Sequence, residues 1–194
     1  RANVCPTREF LARGRQEMQI KSCWHCLAEN VSTAHMIGCC PAGQDARIKR
    51  HNQICELLAN EARKKEWVVF QETQLKDKHL ELYKPDSIFV KGDQAFVVDV
   101  TVRYESKPAS LANVAAEKAK KYEHLKDRVQ ELTSANTIKF MGFPLGARGK
   151  WYHGNYELLT ELGLSTSRRE KVARSLSRRA LFTSVDNVHI FASQ

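Results

Sequence analysis

The stretch from Lys84 to Val102, KPDSIFVKGDQAFVVDVTV, constrains the fold more than any other part of the chain. Two runs of β-branched and aromatic residues flank Lys91-Gly92-Asp93-Gln94, the pattern of a β-hairpin closed by a tight turn. A turn centred on Gly92-Asp93 pairs residues whose numbers sum to 185, and Asp86 with Asp99 meets that sum. The two carboxylates then face each other on one side of the sheet, with Cβ atoms roughly 5 Å apart. Like charges placed so repel, and a bridging divalent cation relieves the repulsion. The plainer alternative is that Asp86 starts a strand after Pro85 while Asp99 faces solvent.

The rest of the chain supplies partners for that hairpin. From Asp45 to about Glu66 the apolar positions turn helical, with His51, Ile54, Cys55, Leu58 and Ala62 on one stripe. Trp67 to Gln71 reads as a buried strand. Ser110 to Thr133 reads as a second long helix with Ser110 as its cap. Thr137 to Phe143 is a further strand, expected to stop at Pro144, and a flexible Gly-rich basic loop, Gly146 to Lys150, follows. Shorter helices are expected at Tyr156–Leu162 and Ser167–Phe182, and a last strand at Val188–Phe191. The order α-β-β-β-α-β predicts an α/β fold, a mixed sheet with helices packed on it. Residues 1–22 read as a basic arm or linker, 23–44 as a metal knuckle and 45–194 as the main domain.

On a helical wheel, Leu111, Val114, Ala115, Tyr122, Leu125, Val129 and Leu132 share one face of the second helix. Lys118 falls in the middle of that face and Lys121 at its edge. A lysine inside an apolar stripe is costly unless it meets an anion or snorkels to solvent. Two carboxylates, a metal and a lysine together make a phosphodiesterase constellation. The cation polarises a phosphate and lowers the pKa of a bound water, and the lysine offsets developing charge. Many nucleases of this kind carry the lysine two residues after the second acid. That position is Thr101 here, so the lysine is expected from the following helix, with Lys118 the candidate.

Six cysteines cluster in the first third of the chain, mixed with histidines, a pattern that fits metal binding better than disulfides. Cys23, Cys26, His35 and Cys40 have the spacing C-x2-C-x8-H-x4-C, a compact tetrahedral zinc set. Cys39 is the alternative fourth ligand, and His25 and His51 are further candidates. The net charge of +9 points to a polyanionic partner, nucleic acid before membrane. No apolar run approaches membrane-spanning length. Basic residues gather at Arg8, Arg13 and Arg15, at Arg148 and Lys150, and along Arg168, Arg169, Lys171, Arg174, Arg178 and Arg179. Three such patches favour phosphate contact without sequence preference. The chain opens on Arg1 rather than Met and is read as a piece of a larger polyprotein.

Several segments, taken in order, resemble one family. They are PTREFLARGR (Pro6–Arg15), CWHC with AHMIGCC (Cys23–Cys40), RIKRHN (Arg47–Asn52), KPD (Lys84–Asp86), VVDVTVRYE (Val97–Glu105) and EKAKKY (Glu117–Tyr122). The resemblance is to the polyproteins of site-specific non-LTR retrotransposons that insert in ribosomal RNA genes. It implies a CCHC zinc knuckle followed by a restriction-endonuclease-like core of the PD-(D/E)xK type. It also implies that target DNA is nicked and the freed 3′ hydroxyl primes reverse transcription of the element RNA. Asp86 and Asp99 match the metal-binding acids, and Lys118 or Lys121 the displaced lysine. Mg²⁺, replaceable by Mn²⁺, is the expected catalytic ion, one structural Zn²⁺ the other cofactor, and the carbonyl of Val100 completes the Mg²⁺ site. Tyr104 and Glu105 are expected to shape the cleft. Arg47, Arg50 and His51 join Arg148, Lys150, Arg168, Arg169, Arg174 and Arg178 as nucleic-acid contacts. An upstream reverse transcriptase domain, a nuclear location and no membrane partner are implied as well. Two alternatives stand beside this reading: a non-catalytic zinc-knuckle nucleic-acid-binding module, and a structure-specific nuclease for branched DNA.

Overall fold

The computed structural model of the chain describes residues 22–105 and 110–193. The basic arm expected over residues 1–22 therefore lies outside the described residues, Ser22 excepted. A four-stranded sheet has the order β1-β4-β5-β6, formed by Val68–Gln71, Ser87–Lys91, Gln94–Arg103 and Thr137–Gly146. A small ribbon of β2 (Leu75–Lys76) and β3 (Leu82–Tyr83) branches off between β1 and β4, and it had no sequence signal. β1, β4 and β5 are antiparallel neighbours, and β6 runs parallel to β5. The sheet is mixed, as expected.

The hairpin register is the one its sequence spacing dictates. Ser87 pairs with Val98 and Lys91 with Gln94, and Gly92 enters the turn at φ 56°, where glycine avoids a Cβ penalty. β5 is buried from Ala95 through Val100 because helices cover both of its faces. Phe96, Val98 and Val100 join one core with Ile54, Leu58, Trp67, Phe89, Phe143, Leu158 and Leu176. That core is sealed by α2 (Gln44–Arg63), α5 (Asn155–Glu161) and α6 (Thr166–Ser193). Ala95 and Val97 face the opposite core, with Ile88, Tyr122, Leu125 and Val129. That side is covered by α3 (Ser110–Tyr122) and α4 (Lys126–Thr133). Alternation along β5 therefore turns Asp99 toward α3.

Four expectations need correcting. The long helix over Ser110–Thr133 is two helices, with a 3-10 turn at Glu123–Leu125 between them. The break changes the helical phase, and Leu132 is exposed rather than inward. Pro144 does not end its strand, for β6 continues to Gly146. As an edge strand β6 has β5 as its one neighbouring strand in the sheet, so the missing N–H of Pro144 breaks no second ladder. The run Val188–Phe191 is the last part of α6, not a strand. Its β-branched residues suggested a strand, but Ser184, Asn187 and Phe191 recur at helical spacing and are all buried. Lastly, the basic loop after β6 is a closed turn, with Gly146 N donating to Lys150 O at 2.9 Å. Among the described residues no helix is long and apolar enough to cross a membrane.

α6 joins the two parts of the molecule. Val172, Leu176 and Ala180 sit in the sheet's core, and Ala173 is buried as well. Eleven residues beyond Ala180, Phe191 packs among Cys23, Val31, Met36 and Cys40. Between these two ends, buried Arg50 on α2 donates to Ser184 Oγ at 2.7 Å.

Candidate metal and phosphate site

The hairpin ends and two helices meet at the carboxyl pair. Asp86 directly precedes β4, in line with Asp99 on β5. Asp86 Oδ2 accepts the backbone N–H of Val100 at 2.6 Å. On the α3 side, Lys118 Nζ donates to Asp99 Oδ2 at 2.8 Å. This is the anion that its place in an apolar stripe required. Lys121 goes elsewhere, donating to Tyr122 Oη at 2.9 Å with its ammonium over the same ring. The geometry thus separates two lysines that the sequence left as alternatives.

From α2, His51 Nε2 lies 3.0 Å from Asp86 Oδ2 and 3.1 Å from the carbonyl of Val100. Cys55, one helical turn on, brings its Sγ to 3.7 Å from the same nitrogen. The helical stripe pointed both residues inward, yet nothing in the sequence named Asp86 as their partner. His51 lies between two grooves. One, of about 370 Å³, is lined by Asn52, Cys55, Glu56, Gln71, Glu72 and Asp86 besides His51. The other, of about 410 Å³, runs past Thr101, Arg103 and Tyr104 to Arg47 and Cys39.

The electrostatics of the pair are uneven. Burial and the neighbouring Asp86 push Asp99 up to about 6, with Lys118 pulling it down. Burial also pushes Asp86 upward, but hydrogen bonds from His51, Asp99 and the Val100 amide outweigh it and hold Asp86 below its ordinary value. The hydrogen bond His51 donates to Asp86, with Cys55 beside it, raises His51 above its ordinary range. Two carboxyl groups, a backbone carbonyl and a lysine gathered at one sheet end can hold a hard divalent cation beside a phosphate.

A second cluster is made by Cys23, Cys26, His35 and Cys40, whose ligand atoms all lie within 4.8 Å of one another. Cys23 Sγ and Cys40 Sγ are 3.8 Å apart, and Cys26 Sγ is 3.6 Å from His35 Nε2. Tetrahedral ligands at about 2.3 Å for sulfur and about 2.0 Å for nitrogen stand about 3.5–3.8 Å apart, so the donors fit such an ion. Cys39 is outside the group and contacts the other ring nitrogen, Nδ1, at 3.7 Å. His25 is outside it too, its Nε2 lying 3.0 Å from the carbonyl of Phe191. Burial and then Arg47 lower His35, which favours the neutral, ligating imidazole. Helix α1 (Thr33–Gly38), capped by Ser32 Oγ on the His35 amide at 3.1 Å, orients that ring.

The basic residues divide by role. Arg174 and Arg178 are exposed on α6, Arg174 near Glu170 at 3.7 Å and Arg178 over Phe182. Lys150 is exposed beyond β6. Arg168 is bound to Glu61 through two hydrogen bonds, at 2.6 and 2.5 Å. Arg169 bonds the hydroxyls of Thr160 and Thr166. Arg47 donates to Cys40 O at 2.5 Å, and Arg148 stacks on Tyr104 and donates to Glu105 O at 2.6 Å. Arg50 departs furthest from the expected surface contact. Only 3% of it is exposed, and it ties α2 to α6.

No family model matches the chain. Curated relatives of the chain are retrotransposon Pol polyproteins. The relatives are the retrovirus-related Pol polyproteins of the type-1 retrotransposable element R2, and the chain is homologous to a segment of them. One, from Popillia japonica, is 28% identical over 174 residues, 89% of this chain and 35% of that protein. Another from the same organism is 30% identical over 152 residues, 77% of this chain and 25% of that protein. A third, from Bradysia coprophila, is 28% identical over 178 residues, 92% of this chain and 20% of that protein. The chain thus spans about a third or less of the length of these relatives.

Proposed function

We propose that the chain is the DNA endonuclease part of an R2-type polyprotein, a restriction-endonuclease-like core of the PD-(D/E)xK type carrying a zinc knuckle. The observation that carries this reading is Lys118 Nζ at 2.8 Å from Asp99, beside Asp86, at the end of a mixed sheet. Asp86, Asp99 and the Val100 carbonyl hold Mg²⁺, for which Mn²⁺ substitutes. The bound cation supplies Lewis acidity to a phosphate and lowers the pKa of a water. Lys118 leaves Asp99 for the scissile phosphate and offsets the charge that develops on it. Tyr122, buried beneath Lys121, fixes the end of α3 by donating to Lys84 O at 3.3 Å.

Cys23, Cys26, His35 and Cys40 hold one zinc, which supplies folding energy to a segment with little core of its own. Exposed Arg174 and Arg178, with Lys150, bind the phosphate backbone of target DNA. In this reading the target is a ribosomal RNA gene and the location is the nucleus. The nick primes reverse transcription of element RNA by an upstream domain of the same polyprotein. A plasmid-nicking assay with Mg²⁺ or Mn²⁺, and then with EDTA, tests it. Metal-dependent nicking lost in Asp99→Ala is the expected result, and nicking that survives that change refutes the assignment.

A further inference from the structure

We propose that His51 is a third side-chain ligand of the divalent cation held by Asp86 and Asp99, and that it shifts the site's preference from Mg²⁺ toward Mn²⁺. The inference rests on the metal-site reading above and concerns what kind of site it is. Adjacent ligands of an octahedral ion, each about 2.1 Å from it, stand about 3.0 Å apart. His51 Nε2 is 3.0 Å from Asp86 Oδ2 and 3.1 Å from the carbonyl of Val100. The imidazole therefore keeps adjacent-ligand spacing to two oxygen donors at once.

The ring is held there by secondary structure rather than by a loop. His51 lies within the 20-residue α2, whose neighbouring Ile54 and Leu58 are fully buried in the sheet's core. Cys55 follows one turn later and packs against the ring at 3.7–3.8 Å. A ligand on a rigid helix is positioned more closely than one on a loop. His51 remains 30% exposed and borders both grooves, so an ion reaches it from solvent.

Chemistry sets the selectivity. Carboxylate and carbonyl oxygens suit Mg²⁺ and Mn²⁺ alike, whereas imidazole suits transition ions and adds little for Mg²⁺. His51 binds the ion as neutral imidazole, its Nε2 proton passing to solvent. An all-oxygen site with His51 as a mere hydrogen-bond donor to Asp86 shows no such discrimination.

The test is pulsed EPR of Mn²⁺ on the zinc-loaded chain, with calorimetric titration of Mn²⁺ and Mg²⁺, in wild type, His51→Gln and Asp99→Ala. The expected result is a ¹⁴N coupling to Mn²⁺ in wild type that disappears in His51→Gln. Mn²⁺ affinity falls at least tenfold in that variant and Mg²⁺ affinity less than threefold. Mn²⁺ bound without ¹⁴N coupling, yet lost in Asp99→Ala, overturns the role of His51 and leaves the metal site standing. No Mn²⁺ bound to the folded wild type overturns both. Circular dichroism confirms that each variant is folded, and His51→Asn serves in place of His51→Gln if the latter is not.

Discussion

Gly142 on β6 lies directly against Ala115 on α3, so closely that a Cβ on the glycine would sit 2.7 Å from the Ala115 Cα. Gly142 is also the register partner of Asp99. The contact sets how near α3 comes to the sheet, and so how far Lys118, less than one turn past Ala115, must reach to meet Asp99. Gly142→Ala is expected to cost about 1–3 kcal/mol through overpacking. It should also lengthen the Lys118–Asp99 contact. Urea unfolding checks the first effect, and a nicking rate reduced beyond the unfolded fraction checks the second.

The two lysines of α3 make different predictions. Lys118→Ala should lower nicking about 100-fold or more, the usual loss for one group that stabilises transition-state charge. Lys121→Ala should change it little, because that ammonium rests on Tyr122. Single-turnover nicking at saturating Mn²⁺ measures both. Equal losses would show that the 2.8 Å contact with Asp99 does not identify the working lysine.

The Cys/His cluster is tested by metal content. Cys40→Ser should release about one zinc per chain, and Cys39→Ser should retain it, since only Cys40 joins Cys23, Cys26 and His35. Elemental analysis of the purified variants decides. Zinc lost from Cys39→Ser alone would exchange their roles.

Glu61 and Arg168 offer a pH test away from the proposed chemistry. Glu61 is held below its ordinary value, chiefly by hydrogen bonds from Arg168, with burial opposing. The folded state therefore binds its proton less tightly than the unfolded chain does. The stabilisation is complete above the unfolded pKa of about 4.3 and fades as pH falls through the lower folded value. Glu61→Gln should cost about 1 kcal/mol at pH 7, and the gap to wild type should close below about pH 4. Denaturant midpoints across that range provide the measurement.

Much of this site could be read locally. The hairpin register follows from a period of two and a glycine turn, and Lys118 follows from the helical wheel of its own segment. What escaped were relations across long stretches of chain. His51 and Asp86 are 35 residues apart, and a stripe reveals that a ring points inward without revealing what it meets. Arg50 looks like any other basic residue until its burial against Ser184, 134 positions away, is seen. Val188–Phe191 was misread because β-branched residues suit strands, while the helix there is fixed by the docking of Phe191 on the Cys/His cluster. Pro144 misled for a related reason, since only sheet order shows that its strand lies at an edge.

α6 anchors one end in the sheet's core and the other among the cysteines. A helix turns about 100° per residue, so each anchor fixes the angle at which the other must arrive. One residue added between Ala180 and Ser184 swings Phe191 off the cluster and turns Ser184 away from Arg50 while leaving the helix's own hydrogen-bond ladder unbroken. A whole turn restores the angle but carries Phe191 about 5.4 Å along the axis, so this stretch should tolerate neither kind of length change, like a threaded shaft whose two ends must both seat.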